Sequence, residues 1–324
     1  MSTLEDRLRE PLRYMRVVKP ILLNNRLVLA GVILLICIIT AVGSDVFLTW
    51  QNWRNILQQI SFVGILACGT TLLMVSGGID LSIGSNVSFS GMLLGYLVIN
   101  DVFGLAPAIL IAIAAATGIG IFNGVLVAHA RSHPFILTLG MGLLLQGAAL
   151  LISTQPISGF PSGFLDFAFR KPLGIPVVVW FFAGFALMSH CILRYTVVGR
   201  HLYAMGGSEP AARLAGVAVR RTKIGLYTLM GLMVGATATL LVATLSAAQA
   251  LMGQAFTLSA IAAVAVGGTP LEGGRGTITG TLLGVLLIGV IGNALNLLSI
   301  DPNLQEVVVG AIIVVAVMAQ RGRT

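Results

Sequence analysis

Nine stretches without a single Asp, Glu, Lys or Arg decide what this chain can fold into: 27–44, 55–79, 81–100, 102–130, 132–165, 172–193, 224–271, 276–300 and 307–320. Charged residues make up 9% of the chain, against roughly 25% in a soluble globular protein. A helix that crosses the hydrocarbon core of a bilayer needs about 20 apolar residues. By that measure 224–271 holds two passes, and each other long window holds one. The last window becomes adequate when Asn303 to Glu306 lie at the interface. The expected architecture is all-α, a polytopic membrane helix bundle of about ten transmembrane helices. They fall near 27–46, 56–76, 82–100, 106–129, 134–153, 173–193, 222–246, 254–269, 277–299 and 303–320. Residues 1–26 form a basic leader, 27–320 a single transmembrane domain and 321–324 a tail.

The 19 Lys and Arg residues give the orientation. With a cytoplasmic N-terminus and ten passes, only Arg54, Arg170 and Lys171 fall outside, a strong positive-inside bias. Both termini, the leader and the tail are then cytoplasmic. The net charge of +8 reports topology and contact with anionic lipid rather than nucleic acid. The leader could be mistaken for a signal peptide with a weak site at Ala41-Val42-Gly43. Its long polar stretch and the missing Ala-x-Ala argue for retention.

Two glycine-rich breaks interrupt the apolar windows: Gly77-Gly78-Ile79-Asp80-Leu81-Ser82-Ile83-Gly84-Ser85 and Gly267-Gly268-Thr269-Pro270-Leu271-Glu272-Gly273-Gly274-Arg275-Gly276. With a gap at Asn86, 77–95 aligns with 267–284, which leaves duplication open as one origin. Irregular backbone survives at membrane depth only where protein or a wet cavity covers it, and paired breaks point to a transport path. The topology puts both breaks at cytoplasmic helix ends. Gly77, Gly78, Asp80, Ser82, Gly84, Gly267, Gly268, Gly273, Gly274 and Arg275 are therefore read as inner-side hinges or gates. Asp80 is expected first as a cap for the helix starting near Ser82.

Enzyme chemistry has little to stand on. None of the three lysines follows a glycine, so no phosphate-cradling Walker A loop exists in this polypeptide. His129 and His133 read as interfacial, no metal ligand set is expected, and the three cysteines read as apolar fillers. Ion-coupled carriers usually hold ionisable residues inside the membrane, and here only Asp80 is placed deep. Uncharged polar residues suit a neutral hydroxylated solute. Asn86, Asn123, Thr138, Gln146, Asn293 and Asn296 are the candidates for the path, each with interhelical glue as the competing role.

The inner segment 194–223 carries a second signal. Ser208 can cap a short helix with Pro210 in its first turn, and Gly216 is a natural stop. Such a helix outside the membrane reads equally as a plain surface helix or as a docking surface for another protein.

Several motifs now carry a resemblance: Gly77-Gly-Ile-Asp-Leu-Ser-Ile-Gly-Ser85, Asn123-Gly-Val-Leu-Val-Ala128, Pro134-Phe-Ile-Leu-Thr-Leu-Gly140 and Gln155-Pro-Ile-Ser158. They continue with Gly199-Arg-His-Leu-Tyr-Ala-Met-Gly-Gly207, Ala211-Ala-Arg-Leu-Ala-Gly216, and Ala262-Ala-Val-Ala-Val-Gly-Gly-Thr269 with Gly273-Gly-Arg-Gly276. Together they resemble the membrane permease subunit of ribose/xylose/arabinose/galactose-type bacterial ABC importers, which include autoinducer-2 importers. The resemblance implies a second permease subunit (homo- or heterodimer), a twin-cassette ATPase that binds the ATP, a periplasmic sugar-binding protein and an inner-membrane location. It makes 199–217 the coupling segment, with Gly199, Arg200, Tyr203, Gly206, Gly207, Glu209, Ala211, Arg213, Leu214 and Gly216 facing the ATPase. No cofactor of its own is expected. An ion-coupled secondary transporter is the alternative. Where the family usually has an acidic pair before Ala260, this chain has Thr257 and Ser259; where many members have arginine before Gly147, it has Gln146. The particular sugar therefore does not carry over. Gly206→Trp is expected to uncouple ATP hydrolysis from uptake while leaving assembly intact.

Overall fold

A computed structural model describes residues 25–130 and 132–301, and singly 304, 307, 308, 310 and 311. Most of the leader, the tail and most of the expected tenth helix lie outside the described residues. The elements in chain order are α1 (Asn25–Gly43), α2 (Trp50–Val75), α3 (Ile83–Ile99), α4 (Leu105–His129), α5 (Pro134–Ile152), β1 (Ile157–Ser158) and α6 (Ser162–Phe169). There follow α7 (Val177–Tyr195), α8 (Val197–Gly207), α9 (Glu209–Leu214), α10 (Val219–Leu245), β2 (Ala247–Ala248), α11 (Gln254–Val266) and α12 (Ile278–Leu297). Among the described residues six of these, α2, α4, α5, α7, α10 and α12, are long and apolar enough to cross a membrane. The window 224–271 holds two helices as expected, the second ending at Val266 rather than near 269. Its second helix, α11, has 13 residues and so spans about 20 Å, short of a core about 30 Å thick. A turn at Leu251–Gly253 and the pairing of β1 with β2 (Ile157 opposite Ala248) take up the missing length.

Small residues set how the bundle closes. On α4, Ala108, Ala112, Ala116, Gly120 and Gly124 are buried at every fourth position, which places them on one helix face. That face meets α10, the most extensive helix–helix contact in the chain. A Cβ at Gly120 would lie 2.3 Å from the Tyr227 carbonyl oxygen, and one at Gly231 would lie 2.5 Å from that of Ala116. Such small-residue seams let backbones approach and replace the hydrophobic drive that lipid cannot supply. The opposite faces are greasy and open: Leu110 on α4 is 68% exposed and Leu151 on α5 is 89% exposed. Faces of this kind suit acyl chains, not water.

Four helices, α2, α10, α11 and α12, share a geometry that positions everything below. Each has one end at a single cavity and the other at the glycine breaks or the α8–α9 segment. A helix such as α12, at 20 residues, separates these two ends by about 30 Å.

A glycine junction and an uncharged cavity

The two breaks are one structure. After α2, Ser76 closes the helix, and Gly77 takes φ +78°, a conformation cheap only for glycine. After α11, Gly268, Gly273, Gly274 and Gly276 also have positive φ. These bends bring the breaks together. The Gly274 N–H donates to the Val75 carbonyl at 3.0 Å, and a Cβ at Gly273 would lie 2.7 Å from the Gly77 nitrogen. Gly206 of α8 fills the third side: its Cβ would lie 2.0 Å from the Val75 oxygen and 2.2 Å from the Gly274 nitrogen. Two tyrosines fasten the breaks. The Tyr203 hydroxyl donates to the Gly276 carbonyl and the Tyr227 hydroxyl to the Ile79 carbonyl, each at 2.7 Å.

Asp80 lies buried in the first break, where its Oδ1 accepts from the Ser82 N–H at 2.8 Å and from the Ser82 hydroxyl at 2.7 Å. It organises the entry to α3, as its sequence position suggests. Gly84 lies against the start of α11, 2.3 Å from the Gly253 oxygen for an added Cβ, and its N–H donates to the Thr257 hydroxyl. Gly267 packs on Gly280 of α12. Arg275 is exposed and does not face the junction's interior.

The coupling candidates divide by face. Gly199, packed on the α7 carbonyls of Ile192 and Leu193, the half-buried Tyr203 and Gly206 look inward. Arg200, Gly207, Ala211, Arg213, Leu214 and Gly216 look outward, and Leu214 is 91% exposed. Where the sequence indicated one short helix, there are two. Thr196 caps α8 through the Gly199 N–H, and Ser208 caps α9 through the Ala211 N–H. Glu209 holds the pair to α10, bonding Arg213 at 2.8 Å and Lys223 at 2.7 Å. Burial alone would raise the Glu209 carboxyl; hydrogen bonds and charge from Lys223 and Arg213 outweigh it and hold the group below its ordinary value. One expectation is corrected. Because Gly206 sits against two backbones, tryptophan there would disturb the junction itself, so intact assembly is not expected.

At the far helix ends lies a cavity of about 700 Å³, within the range of small-molecule sites. Its polar lining is Asn55, Gln58, Gln59, Thr244, Ser259 and Asn296, with no charged side chain. Phe62 and Phe256 stack in its wall with centroids 6.5 Å apart. Of the six path candidates only Asn296 reaches it. The other five lie away from it: Asn86 donates to the Ala116 carbonyl, Asn123 to the Ser82 hydroxyl and Gln146 to the Ala250 carbonyl. Thr138 accepts from the Leu81 N–H, and Asn293 exchanges hydrogen bonds with Asn52. These are bonds between elements of the chain, although Asn123 Oδ1 and Gln146 Oε1 are buried without a partner among the described residues. Asn55, Gln58 and Gln59 were missed because amides at the start of an apolar helix read as interface; their four-residue spacing (Asn55, Gln59) was the available signal.

Apolar outer faces and six helices of crossing length are the marks of a multi-pass membrane protein, here with an uncharged polar cavity at one end. Comparison with known proteins agrees. The chain belongs to the family described as "Branched-chain amino acid transport system / permease component", whose model matches residues 52–317. It is 40% identical to the ribose import permease protein of Escherichia coli strain K12 over 90% of this chain and 91% of that one. It is 32% identical to the D-allose transport system permease protein of the same strain over 89% of each. It is 33% identical to the autoinducer 2 import system permease protein of Photorhabdus temperata, over 80% of this chain and 79% of that one. No solved structure matches the chain. It is a transporter subunit and a multi-pass protein of the bacterial inner membrane.

Proposed function

We propose that this chain is the permease subunit of a binding-protein-dependent ABC importer that moves a small neutral sugar or sugar-like solute inward. The cavity carries the reading: amides and hydroxyls can trade hydrogen bonds with solute hydroxyls without stranding a charge, and all six of its polar groups are of those kinds. The relatives named for ribose, allose and autoinducer 2 support the same solute class. Ten passes with both termini cytoplasmic fit the charge pattern: the junction end carries Arg200, Arg213, Arg220, Arg221, Lys223 and Arg275, the cavity end Arg54.

In this reading a loaded periplasmic binding protein docks at the cavity end and releases its solute into the space between two permease subunits. A twin-cassette ATPase docks on α9, with Leu214 as an apolar knob. Closure of its cassettes moves α8, and the breaks part to let the solute inward.

The test is uptake by the reconstituted complex of permease, ATPase and binding protein, with ATP inside the vesicles and labelled monosaccharides and binding protein outside. Asn296→Ala and Gln58→Ala should each raise the half-saturating concentration about fivefold, the scale of one net hydrogen bond. Uptake by the purified chain alone, driven by a proton or sodium gradient, would replace this reading with an ion-coupled carrier.

A further inference from the structure

Tyr203 stands one helical turn before Gly206 on α8, so the two face the same side. Gly206 abuts both breaks, but only as a van der Waals contact: it can push and cannot pull. The Tyr203 hydroxyl is different, since its 2.7 Å hydrogen bond to the Gly276 carbonyl holds in both directions. Gly276 is the residue before Thr277, and Thr277 caps α12 through the Gly280 N–H. From there α12 runs as a continuous helix to Gly289, Gly292 and Asn296 in the cavity wall. Outward from Tyr203, α8 leads through Ser208 directly into α9.

We infer that Tyr203 is a positioning residue for transport: its hydroxyl ties the ATPase-facing α8–α9 segment to the start of α12, so that motion of the segment reaches the cavity through one rigid helix. The inference rests on the importer reading above. It follows from chemistry rather than position alone. The bond joins two elements, a phenol on α8 as donor and a main-chain carbonyl of the second break as acceptor. Tyr227 makes the matching bond on the first break, to the Ile79 carbonyl, but from α10, which is a spanning helix and not part of the docking segment.

The experiment measures solute imported and ATP hydrolysed together, in vesicles containing the full complex with loaded binding protein. Tyr203→Phe keeps the ring and removes only the hydroxyl. The expected result is a fall of about fivefold in solute moved per ATP, the scale of one lost hydrogen bond, with assembly, unfolding midpoint and ATP hydrolysis near wild type. If uptake and hydrolysis fall together at a constant ratio, Tyr203 is merely structural and the inference is overturned. An unchanged ratio with unchanged rates overturns it equally. If the wild-type complex imports no monosaccharide with ATP, the importer reading fails first and takes the tether with it.

Discussion

Gly206 is held between two separate backbone segments. An added Cβ would approach the Val75 oxygen to 2.0 Å and the Gly274 nitrogen to 2.2 Å, and both obstacles are backbone, which cannot rotate aside. Gly206→Ala should therefore destabilise by about 1–3 kcal/mol, the usual cost of overpacking, seen as a lower unfolding midpoint in detergent. Gly207, with nothing within 4 Å of its Cβ position, should accept alanine with little change. Glu209 gives a pH prediction. Its folded value lies below the ordinary 4.5, so its stabilisation is full above that ordinary value and lost as pH falls through the lowered one. With its side chain 36% exposed, the contribution is small, about 1 kcal/mol or less. Glu209→Gln should flatten the acid limb of a stability-against-pH curve by lowering the neutral-pH midpoint slightly, by up to that amount, and meeting the wild type at low pH. Residue roles were the least legible in the sequence. Asn86 and Asn293 have the right chemistry for a solute path, yet each faces a neighbouring helix; direction is a tertiary property that composition does not contain.

Elements were more legible. The charge-free windows gave the helices because a lipid-facing segment must satisfy its backbone internally. The starts at Leu105 and Pro134 and the end at His129 fell within a residue of expectation. Boundaries failed where the signal is not hydrophobic length. Helix α11 starts at Gln254 as expected but ends at Val266 rather than near 269, where Gly267 and Gly268 open the second break. Helix α8 has three glycines in 11 residues, which lowers its helix propensity, and it is not among the expected helices. The α4–α10 seam supplies the test at this scale. Gly231→Leu would drive a side chain into the Ala116 carbonyl, where even a Cβ comes within 2.5 Å. Loss of folded protein in the membrane fraction is expected, whereas Gly225→Leu, at an open position on the same helix, should be tolerated. Equal tolerance of both would mean that the seam is not what closes the bundle.

At the scale of the whole molecule the cavity and the junction lie at opposite ends of the same helices. With the native cysteines replaced, Gln58→Cys should react with a membrane-impermeant thiol reagent from the periplasmic side and Leu214→Cys only from the cytoplasmic side. The reverse pattern would invert the orientation. The junction itself has a consequence for how the molecule can change. Its central contacts are made by backbone atoms and by absent side chains, as in the 3.0 Å bond from Gly274 to Val75. Its glycine positions cannot be adjusted by exchanging one residue for another; variation at them can only add bulk. The cavity is the opposite case, six polar side chains that can be swapped one at a time. A new solute preference can therefore arise at one end of the bundle while the transmission at the other stays fixed. The molecule separates the part that is free to diversify from the part that is not.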